Sequence, residues 1–165
     1  MPDPLPNAFS GNVLAATTVE LGIAQAALDD AAEFFRTRAP LPPVAGIPKA
    51  SEDPHVILRF GQLQSRLHAA QGLLARAKRL ANTRGAGDVA AIEARAFAAD
   101  LVAEISTQVI TWGSPLRPSD HRQAEVIGAG GPHAPHNANH WNYHFAGNYY
   151  LKGIEPPRWG PEAES

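Results

Sequence analysis

Apolar residues recur along most of the chain in alternating steps of three and four. Leu14, Thr17, Leu21, Ala24, Leu28, Ala31 and Phe35 form one series. Val56, Phe60, Leu63, Leu67, Ala70, Leu74 and Ala77 form a second, and Val89, Ile92, Ala96, Ala99, Ala103, Ser106 and Ile110 a third. Side chains at these spacings share one helical face, so each series predicts an amphipathic helix. A seven-residue repeat rich in alanine predicts close, nearly antiparallel packing with a left-handed twist. No segment alternates with period two for long enough to predict a strand.

The breaks between the series carry their own signals. Residues 1–12, with proline, asparagine and glycine, read as an irregular lead-in to a bundle over 13–153, with 154–165 as a tail. "RAPLPPVAGIPKA" ends the first helix. Ser51 or Asp53 can cap the second, with Pro54 suited to its first position. "NTRGAGD" separates the second helix from the third, and Asp88 is a plausible cap. Residues 113–135 lose all periodicity and read as a long irregular segment. "NANHWNYHFAGNYYLKG" then predicts a last, short helix, capped by Asn137 or Asn139 and stopped at Gly153 ahead of Pro156 and Pro157. The expected fold class is all-α, an up-and-down four-helix bundle with a long irregular segment before the last helix.

Composition narrows the chemistry. The 165 residues suit one domain with a real core. A net charge of −2 argues against a role on nucleic acid or an anionic membrane. With no cysteine there is no disulfide, thiolate nucleophile or cysteine-ligated metal. No apolar run is long enough to span a bilayer, and the first residues do not read as a signal peptide, so a cytoplasmic location is expected.

His136, His140 and His144 are spaced by four and would share one face of a continuous helix. Histidines at i and i+4 can bind zinc, but no Asp or Glu lies between 126 and 154 to complete a shell. No metal site is expected. His140 and His144 read as side chains packed or hydrogen-bonded beside Trp141 and Tyr143. His136, placed before the helix and next to the glycine-rich stretch, reads either as an acid/base group or as an ordinary loop residue. His55 and His68 read as structural or solvent-facing. The arginines of "FFRTR" and "LLARAKRL" read as solvated helix ends.

Three blocks, "LGIAQAALDDAAEFFRTRA", "ASEDPHVILRFGQLQSRLHAAQGLLARA" and "HWNYHFAGNYYLKGIEPPRWG", together resemble the C-terminal helical domain of the acyl-CoA dehydrogenase superfamily. The nearer likeness is to its flavin-dependent monooxygenase branch, which includes the sulfur-acquisition oxidoreductases and dibenzothiophene monooxygenase. The resemblance implies an enzyme with further domains and a flavin site between them and the bundle. It also implies assembly into dimers or tetramers. The cofactor implied is reduced FMN from a partner flavin reductase, or FAD, acting only in the complete enzyme on an organosulfur or related small molecule. His136 falls on the branch's catalytic histidine, with Asn137 and Ala138 standing where the family has Asp and Pro. Arg38 falls near the arginine that reaches a neighbouring subunit's flavin phosphates, a role suited to a guanidinium. The segment ahead of His136 departs from the family pattern.

The resemblance further implies that this chain alone offers one wall of the flavin site and is inactive by itself, separately encoded N-terminal domains being one of the ways the enzyme could be completed. Two other readings stand beside it. One is a non-catalytic helical module for oligomerisation or interaction. The other is part of an acyl-CoA dehydrogenase, which the lack of a carboxylate in the His136 block disfavours, since that chemistry needs one to take the α-proton.

Overall fold

The computed structural model describes residues 8–37, 49–113 and 136–157, with side chains described from Gly11 and, in the last segment, from Trp141. Four long helices occupy them: α1 (Ala8–Thr37), α2 (Pro54–Leu80), α3 (Ala86–Gly113) and α4 (His136–Lys152), with a 3-10 turn at Ala50–Glu52 before α2. The long irregular segment expected before the last helix lies outside the described residues, and no strand occurs within them.

Cross-helix pairs give the topology. Arg76 meets Glu93 and Arg59 meets Glu104, so α2 and α3 run antiparallel. Glu20 pairs with Arg95 and Phe35 meets Trp112, so α1 and α3 run parallel. Tyr143 bonds Asp100 and Tyr150 lies against Glu93, so α4 runs antiparallel to α3. The bundle is therefore up-down-up-down. The carboxyl ends of α1 and α3 and the amino ends of α2 and α4 share one end of it.

Local chemistry explains the boundaries. The Asp53 carboxylate accepts from the His55 amide at 2.8 Å, and Pro54 occupies the first helical position, where no amide is needed. Gly153 closes α4 in the left-handed region, its amide bonded to the Tyr149 carbonyl at 2.9 Å. Three expectations change. Helix α4 begins at His136, so Asn137 and Asn139 lie inside it rather than capping it from before. Helix α1 begins at Ala8, inside the stretch read as irregular. Helix α3 begins at Ala86, so Asp88 lies in its first turn rather than before it. The turn from α2 to α3 is tight enough that Gly85 takes a positive φ of 69°. A Cβ on Gly87 would come within 2.2 Å of the Leu80 carbonyl oxygen.

The core joins three helices. Leu14, Leu21 and Leu28 of α1, Leu63, Leu67 and Leu74 of α2, and Ala94, Leu101 and Ile105 of α3 form one buried cluster. Every residue of the first predicted series is buried. Thr17 is fully enclosed, its hydroxyl satisfied by the Val13 carbonyl at 2.8 Å. The second series is buried from Leu63 onward. Its first members, Val56 and Phe60, are half-buried at the bundle end, beside Phe35 and Trp112. The third series is broken past its middle. Ala103 and Ile110 face outward while Ser106 between them is buried, and Ala94, Ala98, Leu101 and Ile105 are buried outside the series. The reason is position. Helix α3 packs against all three others, so its apolar residues cover most of its circumference and no single stripe describes it.

Candidate functional site

The end of the bundle where α1 and α3 finish and α2 and α4 begin holds the candidate residues. An aromatic cluster seals it. Phe35 meets Trp112 edge-on at 5.1 Å between ring centroids, and Phe60 stacks on Trp112 at 6.2 Å. Around this plug the surface is mixed. Ile57 and Leu58 on the first turn of α2 are exposed, as is Arg36 in the last turn of α1, which donates to its own helix at the Ala32 carbonyl.

The residues singled out from the sequence fall as follows. His136 is the first residue of α4 rather than a loop residue ahead of it, and so sits at this end. Its side chain, like that of His140, lies outside the described residues. Arg38 also lies outside them, next in sequence after Thr37, the last residue of α1. The fold thus brings the last residue of α1 and the first of α4 to one end. His144 is exposed and meets Trp141 edge-on at 5.5 Å, the packing arrangement expected for it. His55 and His68 are exposed, and the His68 ring lies 3.0 Å from the Gln64 amide nitrogen. Among the described residues no three His, Asp or Glu side chains gather as a metal shell would require. No helix among them is long and apolar enough to cross a membrane.

Sequence reasoning missed the polar ties between helices. Glu104 accepts from both Arg59, at 2.8 Å, and Arg66, and Arg59 also donates to Gln108 at 3.0 Å. Arg76, read as a solvated helix end, instead pairs with Glu93 at 2.7 Å and faces the Tyr150 hydroxyl. These two neighbours push its already high pKa up further. Tyr143 donates to Asp100 at 2.8 Å. Partial burial, then the Asp100 carboxylate, push its phenol up to about 12, so it stays neutral where an ordinary tyrosine would ionise. The Glu93 carboxylate raises Tyr150 in the same direction. Arginines and carboxylates on α2 and α3 are the only sequence signal for this network, and their partners follow from helix register.

Comparison with known proteins places this geometry. The family model of the acyl-CoA dehydrogenase C-terminal domain matches residues 14–114. The chain is 37% identical over 117 residues to a dibenzothiophene monooxygenase of Rhodococcus erythropolis, an alignment covering 70% of this chain and 27% of that protein. It is 34% identical over 119 residues to the enzyme of the same name from Mycolicibacterium goodii, covering 71% and 28%. Among solved structures, the complex of TdsC from Paenibacillus sp. A11-2 with FMN and indole superposes with a TM-score of 0.76 at 22% identity, covering 92% of this chain and 42% of that one. Another structure, of dibenzothiophene monooxygenase (TdsC) from Paenibacillus sp. A11-2, gives 0.75, also at 22% identity, covering 92% of this chain and 42% of that one. At this identity the structural likeness establishes the fold. The chain spans just over a quarter of the length of the curated relatives it matches.

Proposed function

The chain belongs to the acyl-CoA dehydrogenase C-terminal domain family, and from that premise we propose that it is the helical bundle of a flavin-dependent monooxygenase acting on an organosulfur or related small molecule. The observation that carries the reading is the match to dibenzothiophene monooxygenases across the bundle, at 37% identity. The residues at the candidate end suit one wall of a site for a planar, phosphate-bearing cofactor. Exposed Ile57 and Leu58 give apolar area, and exposed Arg36 gives a cation at the same end.

FMN, when bound in such an enzyme, supplies the activation of oxygen. This chain's residues would orient and protonate around it. Arg38 would pair with the phosphate through two parallel hydrogen bonds at once, a geometry a guanidinium has and an ammonium lacks. His136 would hold or deliver a proton at its imidazole, whose ordinary pKa lies near working pH. A ligand site buries about 70–90% of its ligand, so one wall binds little by itself. The remaining walls would come from the portion of the relatives that this chain does not match. Exposed Val19 and Ile23, one turn apart on α1, support association of the bundle into dimers or tetramers.

The test has two arms. Titration of the chain with FMN, followed by flavin fluorescence, should show no saturable binding at micromolar concentration. Addition of the amino-terminal portion of a dibenzothiophene monooxygenase should restore binding and oxygenation with a flavin reductase present. In that restored enzyme His136→Ala should lower turnover at least ~100-fold, the scale of a lost acid/base group, and His144→Ala far less. Equal losses would overturn the role given to His136.

A further inference from the structure

We propose that Tyr143 and Tyr150 are positioning residues that fix the register of α4 on α3, and with it the height at which His136 stands. The link to His136 rests on the function proposed above; the register itself does not.

Tyr143 and Tyr150 are seven residues apart on α4. Their partners, Asp100 and Glu93, are seven apart on α3. Two antiparallel helices therefore set tyrosine hydroxyls against carboxylates at two heights, about 10 Å apart at 1.5 Å per residue, and at the first of them the Tyr143 hydroxyl donates to Asp100 at 2.8 Å. Between those heights the buried residues are small, Ala96 on α3 and Ala146 on α4. Small side chains allow close approach but give few knobs to resist sliding. Directional bonds supply what they lack.

The observed register is the one that puts a carboxylate opposite each hydroxyl. If α4 slid by four residues one way, Tyr143 would come level with Glu104 but Tyr150 with Phe97. Slid the other way, the two would face Ala96 and Val89. A seven-residue slip leaves one of the two tyrosines without a carboxylate in either direction. The tyrosine heights are further tied to the core. Glu93 is held by Arg76 of α2, so the second height connects three helices. Beyond α4, Glu155 lies 3.5 Å from Arg84 in the turn between α2 and α3, and Pro156 is buried.

His136 lies one further step of seven along α4, so its backbone falls on the same row as Tyr143 and Tyr150, level with Thr107 of α3. A slip of one turn would carry it about 5 Å along the bundle. That displacement exceeds the reach of any hydrogen bond, so register and proton position are one variable.

Because the chain lacks cysteine, two spin labels can be placed cleanly, at Thr83→Cys in the turn and Asn137→Cys at the start of α4. The parent should give one narrow distance. The double variant Tyr143→Phe with Tyr150→Phe should shift it by about 5 Å, one helical turn, or broaden it by as much, whereas Tyr149→Phe should leave it unchanged. A double variant with the parent's distance and width overturns the proposal. If α4 detaches in the double variant, Tyr143→Phe alone decides, and an unbroadened distance there overturns it. The His136 imidazole resonance, identified by its loss in His136→Gln, should move in Tyr143→Phe. A role in stability alone would lower the melting temperature and leave that resonance in place. None of these readouts uses turnover, so they stand or fall apart from the monooxygenase assignment.

Discussion

On one side of α3, Ala90, Ala94, Ala98, Leu101 and Ile105 join the leucines of α1 and α2 in a single apolar cluster. On the other, Asp100 and Glu93 meet the hydroxyls of Tyr143 and Tyr150, while Trp141, Leu151 and Ile154 of the α4 segment remain exposed. Apolar burial supplies most of the free energy but has little directional preference. Hydrogen bonds between half-exposed groups supply little net energy but fix geometry. The same helix thus uses one face for stability and the other for alignment, and the candidate histidine sits on the aligned partner.

That division can be broken at its strongest point. Leu101→Ala should cost about 2–5 kcal/mol, the range for truncating a fully enclosed leucine, whereas Leu151→Ala, 85% exposed, should change urea stability by no more than about 0.5 kcal/mol. Comparable losses would mean that α4 is bound as tightly as the core. Gly87→Ala should come next. Its Cβ would press on the Leu80 carbonyl, and overpacking of this kind costs about 1–3 kcal/mol. The melting temperature should fall accordingly.

The polar ties should yield smaller and condition-dependent effects. Glu104→Gln weakens the bridge from Arg59 and Arg66. Its groups are about a third exposed, so the loss should be about 0.5–1 kcal/mol and should shrink as salt is raised. Tyr143→Phe should cost the least at neutral pH. Its signature is alkaline. Folding raises the Tyr143 phenol to about 12 from the ordinary value near 10. The neutral form is the one the fold favours, so its contribution is complete below pH ~10 and is lost as pH climbs through ~12. An ultraviolet titration should show a tyrosine ionising near 12 that disappears in Tyr143→Phe, beside Tyr150 shifted in the same direction.

The same division explains what the sequence could reveal. Helix α1 lies against the core on one side, so its period of burial was plain from Leu14 to Phe35. The Asp53 cap with Pro54, and the Gly153 stop, are local devices and were equally plain. Helix α3 was not, because its alanines serve several neighbours and carry no preferred direction in the sequence. Ala103 was assigned inward and Leu101 went unnoticed. At the candidate site the resemblance supplied His136 and Arg38, neither of whose side chains lies among the described residues. The tyrosine and arginine ties were invisible for a different reason. Tyr143 finds Asp100 across 43 positions of chain, and only the register of two helices brings them together.

The crowding of α3 has a consequence for how the chain tolerates change. A helix covered on one side accepts large residues on the other, so systematic substitution along α1 should read as a comb with a helical period. Along α3, Ala90, Ala91, Ala94, Ala96 and Ala98 are all almost fully enclosed, at 1% exposure or less; four of them face one side of the axis, while Ala96 faces the other with Val89 and Ile92. A larger side chain at any of them would separate two helices. Between residues 89 and 98 a mutational map should therefore show intolerance on two opposite faces, relieved only at half-buried Glu93, Arg95 and Phe97, in a stretch whose composition alone suggests nothing more demanding than a good helix former.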